Sequence, residues 1–251
     1  MVESWRERVT LVHRDRDLLV LHKPSGLPTT APAGGVCLVQ LARELDPEAP
    51  QLHPSSRLDA EVSGLVTFAR TRKGNERLLS ARRDGRYGRL YLGLSLGEPS
   101  LEVGRFEAAI GIDPADRRRR RVVRDERPDH ERVRDAATRY RVLDRAGPAA
   151  LLQLEPETGR THQLRVHCAD AGVPLLGDRH YGGPQRMVLE DGRVLMARRA
   201  MLHCTRLSLD LGQGRPLLLE ALPPDDFQQL WLQLGGTALA KLLTSSRMVQ
   251  Q

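Results

Sequence analysis

Short apolar stretches that follow one another closely limit the folds open to this chain more than any other feature. Val9–His13 and Asp17–His22 are rich in Leu and β-branched residues and are separated by the polar turn Arg14-Asp15-Arg16, which predicts a β-hairpin. The same pattern predicts further strands at Ser63–Ala69, Leu90–Leu96, Phe106–Ile112, Thr138–Leu143, Leu151–Glu155, Leu207–Leu211 and Leu217–Ala221. Helices are predicted at Leu38–Glu44, Asn75–Arg82, Thr161–Ala171 and Asp226–Leu234. Because many strands follow each other directly, we expect an α+β fold with a long, mainly antiparallel mixed sheet flanked by helices, rather than a doubly wound parallel sheet.

The helix at 161–171 has the clearest boundary signals. Thr161 can cap its first turn with a side-chain oxygen, and Gly172 suits the left-handed conformation that often ends a helix. Pro174 prevents continuation. We therefore expect Thr161 at the N-cap and Gly172 just beyond the end.

The composition excludes several classes of protein. Of the 251 residues 40% are hydrophobic, enough for a sizeable core, yet no apolar run approaches the roughly 18–20 residues that cross a bilayer. Residues 1–8 carry two acidic side chains and no apolar segment, so we expect no secretory signal peptide. A cytoplasmic protein without membrane association is the expectation.

The cysteines argue against a disulfide framework and against zinc. Cys37, Cys168 and Cys204 lie far apart, form no CxxC pair and have no histidine at zinc-ligand spacing. This favours structural thiols. The sequence predicts no metal and no other cofactor.

Positive charge is concentrated in two segments. The chain has 39 Lys and Arg against 32 Asp and Glu, a formal charge of +7. Residues 70–91 hold eight basic and two acidic side chains, residues 111–145 hold twelve and eight, and the rest of the chain is net acidic. A localised positive field favours a polyanionic partner. Within the second segment, the polar stretch 113–135 is predicted to be a mobile, exposed loop, and contact with RNA and simple solvation are both open for it.

Three segments place polar side chains among glycines and short apolar stretches: 56–65, 88–93 and 157–167. Each has a structural interpretation when taken alone, since Asp59 suits a turn or a cap and Tyr91 suits a buried strand. His162 and His167 are five residues apart without an acidic third ligand, which favours hydrogen bonding over metal binding.

Taken together and in this order, these segments resemble the pseudouridine synthases of the RluA type. The resemblance runs from about Leu18 to Phe227, and its segments are Leu19-Val20-Leu21-His22-Lys23-Pro24-Ser25-Gly26-Leu27, Arg57-Leu58-Asp59, Ser63-Gly64-Leu65, Arg89-Leu90-Tyr91, Ala137-Thr138-Arg139-Tyr140, Thr158-Gly159-Arg160-Thr161-His162-Gln163-Leu164-Arg165-Val166-His167, Gly172-Val173-Pro174-Leu175-Leu176-Gly177-Asp178, Tyr181-Gly182, Leu202-His203 and Pro224-Asp225-Asp226-Phe227. Any one of these could occur by chance, whereas the ordered set is highly specific.

The resemblance implies a single catalytic domain at 18–227, preceded by an N-terminal extension at 1–17 and followed by a C-terminal helical extension or tail at 228–251. No S4-type RNA-binding domain is expected before the match, so RNA contact falls to the catalytic domain. The implied activity is an isomerase that converts specific uridines of ribosomal or transfer RNA to pseudouridine without a cofactor. A monomer is the family-based expectation.

The resemblance also implies residue roles. Asp59 matches the catalytic aspartate, which acts as a nucleophile or captures an oxocarbenium-like sugar, and Arg165 matches the arginine that pairs with it. Tyr91 is expected to stack on the uracil and to help remove the C5 proton. Arg57 matches the side chain that fills the space left by the flipped nucleotide.

Further residues are expected around this site. Leu65 and Leu202 are candidates for the apolar walls of the pocket. The candidate RNA contacts are Arg57, Arg82, Arg83, Arg86, Arg160 and His162.

Some positions depart from the family pattern. Ser56 stands where the family usually has His, and Val62 stands where it usually has Thr. His22 and Arg89 replace the usual Asn and Lys. Since Ser56 and Val62 flank the expected nucleophile, a second hypothesis is a catalytically silent RNA-binding protein or RNA chaperone with the same fold. A DNA-binding regulator ranks last, because helix-turn-helix and zinc-finger spacings are missing.

Overall fold

The computed structural model describes residues 2–31, 35–124, 133–212 and 215–239. Its helices in these ranges are α1 Val2–Arg8, α2 Leu38–Leu45, α3 Arg72–Arg83, α4 Gln163–Asp170 and α5 Asp225–Gln233, with a 3₁₀ turn at Arg179–Tyr181. Its strands are β1 Thr10–Arg14, β2 Leu18–Lys23, β3 His53–Pro54, β4 Ser63–Ala69, β5 Tyr87–Leu96, β6 Val103–Glu107, β7 Ala109–Ile112, β8 Arg120–Val123, β9 Ala137–Ala146, β10 Ala149–Pro156, β11 Arg186–Val188, β12 Val194–Met196, β13 Leu202–Leu209 and β14 Leu217–Glu220. None of the helices in the described ranges is long and apolar enough to cross a membrane.

The chain divides into two compact units. The first consists of residues 1–90 and 203–223, and the second of residues 91–202 and 224–251. Strand β5 therefore contributes to the first unit up to Leu90 and to the second unit from Tyr91 onwards.

The sheet of the first unit has the strand order β1-β2-β4-β13, with β14 beside β13 and β3 beside β4. Its pairs are antiparallel except for β4 and β13, which run parallel. Every residue of β4 is buried, because its neighbours cover its edges and α3 packs against it. Leu78 of α3 joins Leu18, Ala69 and Leu209 in an apolar cluster. The loop that leads into β4 is thus attached to a rigid strand.

Gly64 allows β4 and β13 to approach closely. It has a φ of +122°, and a Cβ atom built there would lie 2.4 Å from the carbonyl oxygen of Cys204 on β13. Only glycine combines this backbone conformation with this spacing. The Ser63-Gly64 pair at the start of β4 therefore has a structural reason as well as its place in the family pattern.

The largest group of paired strands described in the second unit has the order β5-β10-β9-β6, and each of these three pairs is antiparallel. Helix α4 packs against β9 and β10. A separate apolar cluster includes Phe227, Leu230 and Trp231 of α5 together with Leu239. Helix α5 spans positions 227 and 228, and Leu239 also contributes to this cluster. The predicted domain bounds stay a prediction.

The fold class is confirmed: the chain is α+β, and the strand pairs of its described ranges include several antiparallel ones and the parallel pair β4–β13. The predicted hairpin near the N-terminus and the strand Ser63–Ala69 are present. The predicted strand Phe106–Ile112 is wrong as a single element, because the chain breaks at Ala108 into β6 and β7, which pair with different strands.

The interpretation of 113–135 as a mobile, exposed loop is wrong for its first half. Arg120–Val123 forms β8, which pairs with β7 in an antiparallel hairpin. Val123 is buried, and Val122 packs against the apolar cluster that Ile110, Ala136, Val166 and Tyr181 form. These apolar contacts order the strand although two of its four residues, and the three residues before it, are arginines. Residues 125–132 lie outside the described part of the chain.

Two aspartates order the turn of this hairpin. Asp113 accepts the backbone N–H of Ala115, and Asp116 accepts that of Arg118, both at 3.0 Å. The Arg118 side chain binds the same Asp116 carboxylate at 2.9 Å and holds its pKa at about 2. Opposite charges within the turn therefore offset the repulsion between successive arginines.

Gly64→Ala should destabilise the protein by at least about 3 kcal/mol, because the new Cβ would meet the backbone of Cys204 in an unfavourable conformation. Gly85→Ala is the matched control, since Gly85 has a φ of +69° but no atom within 4 Å of the new Cβ, and it should cost only about 1–2 kcal/mol. Urea unfolding of the two variants measures the difference. Equal losses of unfolding free energy in the two variants would show that β4 and β13 have room for a Cβ atom at position 64.

Candidate active site

The segment with Asp59 is the loop between β3 and β4, and its backbone is held from the side. Thr29 is buried, and its Oγ1 both accepts the N–H of Leu58 at 3.0 Å and donates to the Leu58 carbonyl at 2.8 Å. The N–H of Val62 donates to the carbonyl of Asp59 at 3.1 Å. Leu58 is buried, Arg57 is exposed and Asp59 is partly exposed. This alternation of exposed and buried residues directs the side chains of Arg57 and Asp59 away from the core.

A buried lysine holds the end of β2 against this loop. Lys23 is fully buried, and its Nζ donates to the carbonyl oxygens of Pro24, Leu27 and Ala60 at 3.0, 2.7 and 3.2 Å. The Ala60 carbonyl also accepts the N–H of Gly26 at 2.7 Å. Because Ala60 directly follows Asp59, the lysine fixes the backbone beside the expected nucleophile.

Ser56, the first departure from the family pattern, is part of a hydrogen-bonded group. The Tyr87 hydroxyl lies 3.2 Å from Ser56 Oγ and 3.2 Å from Thr67 Oγ1. The Arg82 guanidinium lies 4.6 Å from the centre of the Tyr87 ring, a cation–π contact. A small hydroxyl at position 56 thus binds the tyrosine, and Arg82 is connected to the loop of Asp59. The sequence analysis missed Tyr87, and the unusual Ser56 was the signal that could have indicated it.

Two histidines lie on the strands that flank β4, His22 on β2 and His203 on β13. His203 binds Ser63 Oγ through Nδ1 at 2.9 Å and the Ala221 carbonyl through Nε2 at 3.1 Å. The His22 ring centre is 5.5 Å away from that of His203. Burial, with the positive charge of Lys23, lowers the pKa of His22, so His22 is a neutral group at neutral pH.

In the second unit, Arg165 on α4 forms a buried ion pair. Its Nε and Nη2 donate to Oδ2 and Oδ1 of Asp178 at 2.6 and 2.7 Å, and the two side chains are only 3% and 0% exposed. Asp178 is a partner that the sequence analysis missed, although it lies in the Gly177-Asp178 segment of the family pattern. Burial, together with the charge of Asp178, raises the pKa of the Cys168 thiol to about 12.

The histidine-rich segment ties α4 to β9 by hydrogen bonds. Gln163 donates to the Ala137 carbonyl at 2.9 Å and to Thr138 Oγ1 at 3.1 Å. His167 Nδ1 lies 3.0 Å from the same Thr138 Oγ1, and burial lowers the pKa of His167. Among the described residues, no group of three or more metal-ligating side chains occurs. The hydrogen-bonding interpretation of His167 fits these contacts.

Helix α4 begins differently from the prediction. Its N-cap is His162 rather than Thr161, and no side chain caps the first turn. His162 has a φ of +58°, the one positive φ of a non-glycine residue in the described ranges. A contact with Tyr181 holds it, as His162 Nδ1 lies 2.7 Å from the tyrosine hydroxyl. Gly172 has a φ of +77° as expected.

The remaining predicted RNA contacts differ in how firmly they are held. Arg83 is exposed on the last turn of α3. Arg86 is half-buried and binds the Asp84 carboxylate at 2.7 Å and the Asp210 carbonyl, so this side chain also has a structural role. Arg160 is exposed, and its Nε donates to the Asp135 carbonyl at 3.0 Å.

The predicted site residues fall into both units. Arg57, Asp59, Leu65, Arg82, Arg83 and Arg86 belong to the first unit, and Tyr91, Arg160, His162, Arg165 and Leu202 belong to the second. Leu65, Tyr91 and Leu202 are buried. Within the second unit, the fold brings Arg165 and His162 together around Tyr181. The pairing of Asp59 with Arg165 would join the two units and stays a prediction, as do the stacking role of Tyr91 and the wall roles of the leucines.

Comparisons with known proteins agree on one family. The family profile described as RNA pseudouridylate synthase matches residues 17–170, a range that includes Asp59, Tyr91 and Arg165.

Curated relatives match a large share of this chain. A protein of Chloroflexus aurantiacus named uncharacterized RNA pseudouridine synthase is 39% identical over 183 residues, 72% of this chain and 53% of the relative. The ribosomal large subunit pseudouridine synthase D of Neisseria meningitidis serogroup A is 33% identical over 231 residues, 88% of this chain and 59% of the relative. The chain thus spans little more than half of these relatives.

A solved structure titled human RNA pseudouridylate synthase domain containing 4 is similar to this protein over most of its length. The TM-score is 0.72 at 26% identity, and the alignment covers 93% of this chain and 95% of the human one. The structure titled human RNA pseudouridylate synthase domain containing 1 gives a TM-score of 0.69 at 25% identity, with coverage of 92% and 96%.

Lys23→Met should lower the free energy of unfolding by about 3 kcal/mol, because it leaves the three carbonyl oxygens around Nζ without their charged donor. Lys73→Met is the control, since Lys73 is exposed on α3, and it should change stability by less than about 0.5 kcal/mol. Thermal and urea unfolding measure both. Similar effects of the two variants would contradict the role given to Lys23.

Proposed function

Since the chain belongs to the RNA pseudouridylate synthase family, we propose that it is an isomerase that converts uridines of ribosomal or transfer RNA to pseudouridine. The observation that carries the proposal is the family match over 17–170, which covers the Asp59 loop, Tyr91 and helix α4 in their expected order. The names of the bacterial relatives support ribosomal RNA as one class of substrate.

The reaction needs no external reactant. The bond between N1 and C1′ breaks, the base turns within the pocket, and C5 bonds to C1′ while the proton lost from C5 is matched by one gained at N1. An ionised Asp59 acts as nucleophile or captures the sugar cation. The hydrogen bonds from Thr29 to Leu58 and from Lys23 to Ala60 support this role, because they fix the backbone on both sides of Asp59.

Arg165 is proposed to hold the Asp59 carboxylate in its ionised form and to direct it. The fork to Asp178 engages Nε and Nη2, and a guanidinium has five N–H donors in total, enough to bind two carboxylates. A planar arginine can serve two carboxylates in this way, whereas a lysine offers a single point charge.

The exposed Arg57 is proposed to enter the space left by the flipped uridine. Its neighbours Ser56 and Leu58 are buried, so the side chain projects from a fixed loop. Preorganisation of this kind lowers the entropy that must be lost when the RNA binds. Tyr91 is proposed to stack on the detached uracil and to assist removal of the C5 proton.

RNA is the proposed partner, with a monomer in the cytoplasm as the working form. The basic segment 70–91 includes the exposed side chains of Arg82 and Arg83 on α3, which suits contact with phosphates.

A catalytically silent RNA-binding protein is the second candidate, because Ser56 and Val62 depart from the family pattern beside Asp59. The contacts favour the enzyme. Ser56 binds the Tyr87 hydroxyl at 3.2 Å, and Val62 is buried in the core. Both replacements therefore fit a loop that is still fully supported.

Asp59→Asn should abolish the release of tritium to water from RNA labelled at uridine C5, because an amide cannot replace the carboxylate as nucleophile. Total RNA from cells without this gene is the substrate. Glu61→Gln removes one negative charge two residues away and should retain most of the activity. Equal release by Asp59→Asn and the wild type would remove Asp59 from the mechanism, and RNA binding without release by any of the three proteins would favour the silent alternative.

Arg82→Gln combined with Arg83→Gln should weaken RNA binding more than Arg186→Gln combined with Arg198→Gln, which removes the same charge from exposed positions after residue 185. The slope of log affinity against log salt should fall by about 0.7–0.9 for each phosphate that the protein no longer neutralises. Arg86 is kept intact, because its contacts with Asp84 and Asp210 support the turn. Equal effects of the two double variants would contradict a binding surface on α3.

A further inference from the structure

Tyr181 lies at the centre of a cluster that joins the arginine-rich hairpin β7–β8 to helix α4. The side chain is buried. Its hydroxyl lies 2.7 Å from Nδ1 of His162 and accepts the backbone N–H of Arg120 at 2.9 Å. The Arg165 guanidinium lies 5.1 Å from the centre of its ring. One side chain therefore contacts the first residue of β8, the N-cap of α4 and the arginine expected to hold the nucleophile.

The contact with His162 matters because the backbone there is strained. A left-handed conformation is unfavourable for a residue with a side chain and persists only where its surroundings enforce it. The tyrosine hydroxyl can accept from Arg120 and donate its own proton to the unprotonated Nδ1 of a neutral imidazole. This bond fixes the His162 ring, and with it the direction in which α4 leaves the loop. Arg165 follows three residues later, on the next turn of the same face.

The segment 178–181 also holds Arg165 from a second side. Asp178 binds one edge of the guanidinium through two hydrogen bonds of 2.6 and 2.7 Å, and Tyr181 packs against the guanidinium three residues further on. The edge contact sets the plane of the group, and the ring contact limits its rotation out of that plane. Together, the ion pair and the ring contact restrict the orientation of Arg165.

We propose that Tyr181 is a positioning residue for the reaction: its hydroxyl couples the hairpin backbone at Arg120 to the start of α4 at His162, and its ring fixes the orientation of Arg165. This inference rests on the proposed function, because Arg165 is taken as the partner of the catalytic aspartate. Tyr181 acts through Arg165, so its loss changes the chemical step and leaves RNA affinity nearly unchanged.

The first test compares Tyr181→Phe with Tyr140→Phe. The two variants lose the same hydroxyl from buried tyrosines of the same unit, and Tyr140 packs on Phe106 with ring centres 4.3 Å apart, on strands β9 and β6. Tyr181→Phe should lower the single-turnover rate of tritium release about tenfold, while its RNA dissociation constant stays within about twofold of the wild-type value. Tyr140→Phe should match the wild type in both the rate and the dissociation constant. A wild-type rate for Tyr181→Phe, or equal losses in the two variants, would overturn the proposal.

His162→Gly separates the hydrogen bond from the backbone conformation. Glycine accepts the positive φ without strain but has no ring for Tyr181. The proposal expects His162→Gly to be as slow as Tyr181→Phe, and the double variant to be no slower than either, because both changes remove the same bond. A wild-type rate for His162→Gly would show that only the backbone matters and would overturn the coupling.

Hydrogen exchange tests the coupling independently of activity. Tyr181→Phe should raise amide exchange at Arg120 and in the first turn of α4, while Tyr140→Phe should not. Unchanged exchange in both segments would overturn the inference even if the enzyme is active. Conversely, faster exchange in a protein that releases no tritium from any RNA would leave the coupling supported and overturn the proposed function alone.

Discussion

The bidentate ion pair between Arg165 and Asp178 is the contact on which the geometry of the second unit depends. Burying a cation costs several kcal/mol unless a well-aligned partner offsets its loss of hydration, and losing one member of such a pair typically costs about 3–5 kcal/mol. Both side chains are almost fully buried. Loss of either side chain would leave an uncompensated buried charge and disrupt the region around it. The fork also fixes one edge of the guanidinium and with it the plane of the group. A structural ion pair thereby orients the arginine that is proposed to hold Asp59.

In each of the two units, a tyrosine supports the segment that contains an expected catalytic residue. In the first, Tyr87 binds Ser56 beside the Asp59 loop and lies under Arg82; in the second, Tyr181 binds His162 at the start of α4 and lies beside Arg165. In each case a phenol hydroxyl binds the side chain three residues before an expected catalytic residue, while the tyrosine ring contacts an arginine. A tyrosine does this at low entropic cost, since only two side-chain torsions must be fixed, and salt screens its contacts less than it screens an exposed ion pair.

The sequence predicted the fold class and the segments that form the site, because alternating apolar residues and the ordered polar segments are local signals. It failed where distant residues decide local structure. Thr161 has the chemistry of an N-cap, yet the helix begins at His162, whose conformation is held by a tyrosine nineteen residues further on. The arginines of β8 look like a solvated loop, but Val122 and Val123 anchor them to the core. Asp178 gave no local sign that it would bind Arg165, because only the tertiary fold brings them together.

The turn of the β7–β8 hairpin has a consequence for how RNA would meet this surface. Arg118 lies directly against Asp116, and Arg119 lies 3.8 Å from Asp113, so these side chains present dipoles rather than isolated positive charges. The field of a dipole decreases with distance faster than that of a single charge. These two pairs consequently add little to the attraction that guides a polyanion through solution, whereas residues 113–121 as a whole keep a net positive charge, with five arginines against two aspartates. Both net-positive segments, 70–91 and 111–145, then contribute to the rate of encounter, and the paired Arg118 and Arg119 contribute mainly to orientation after arrival.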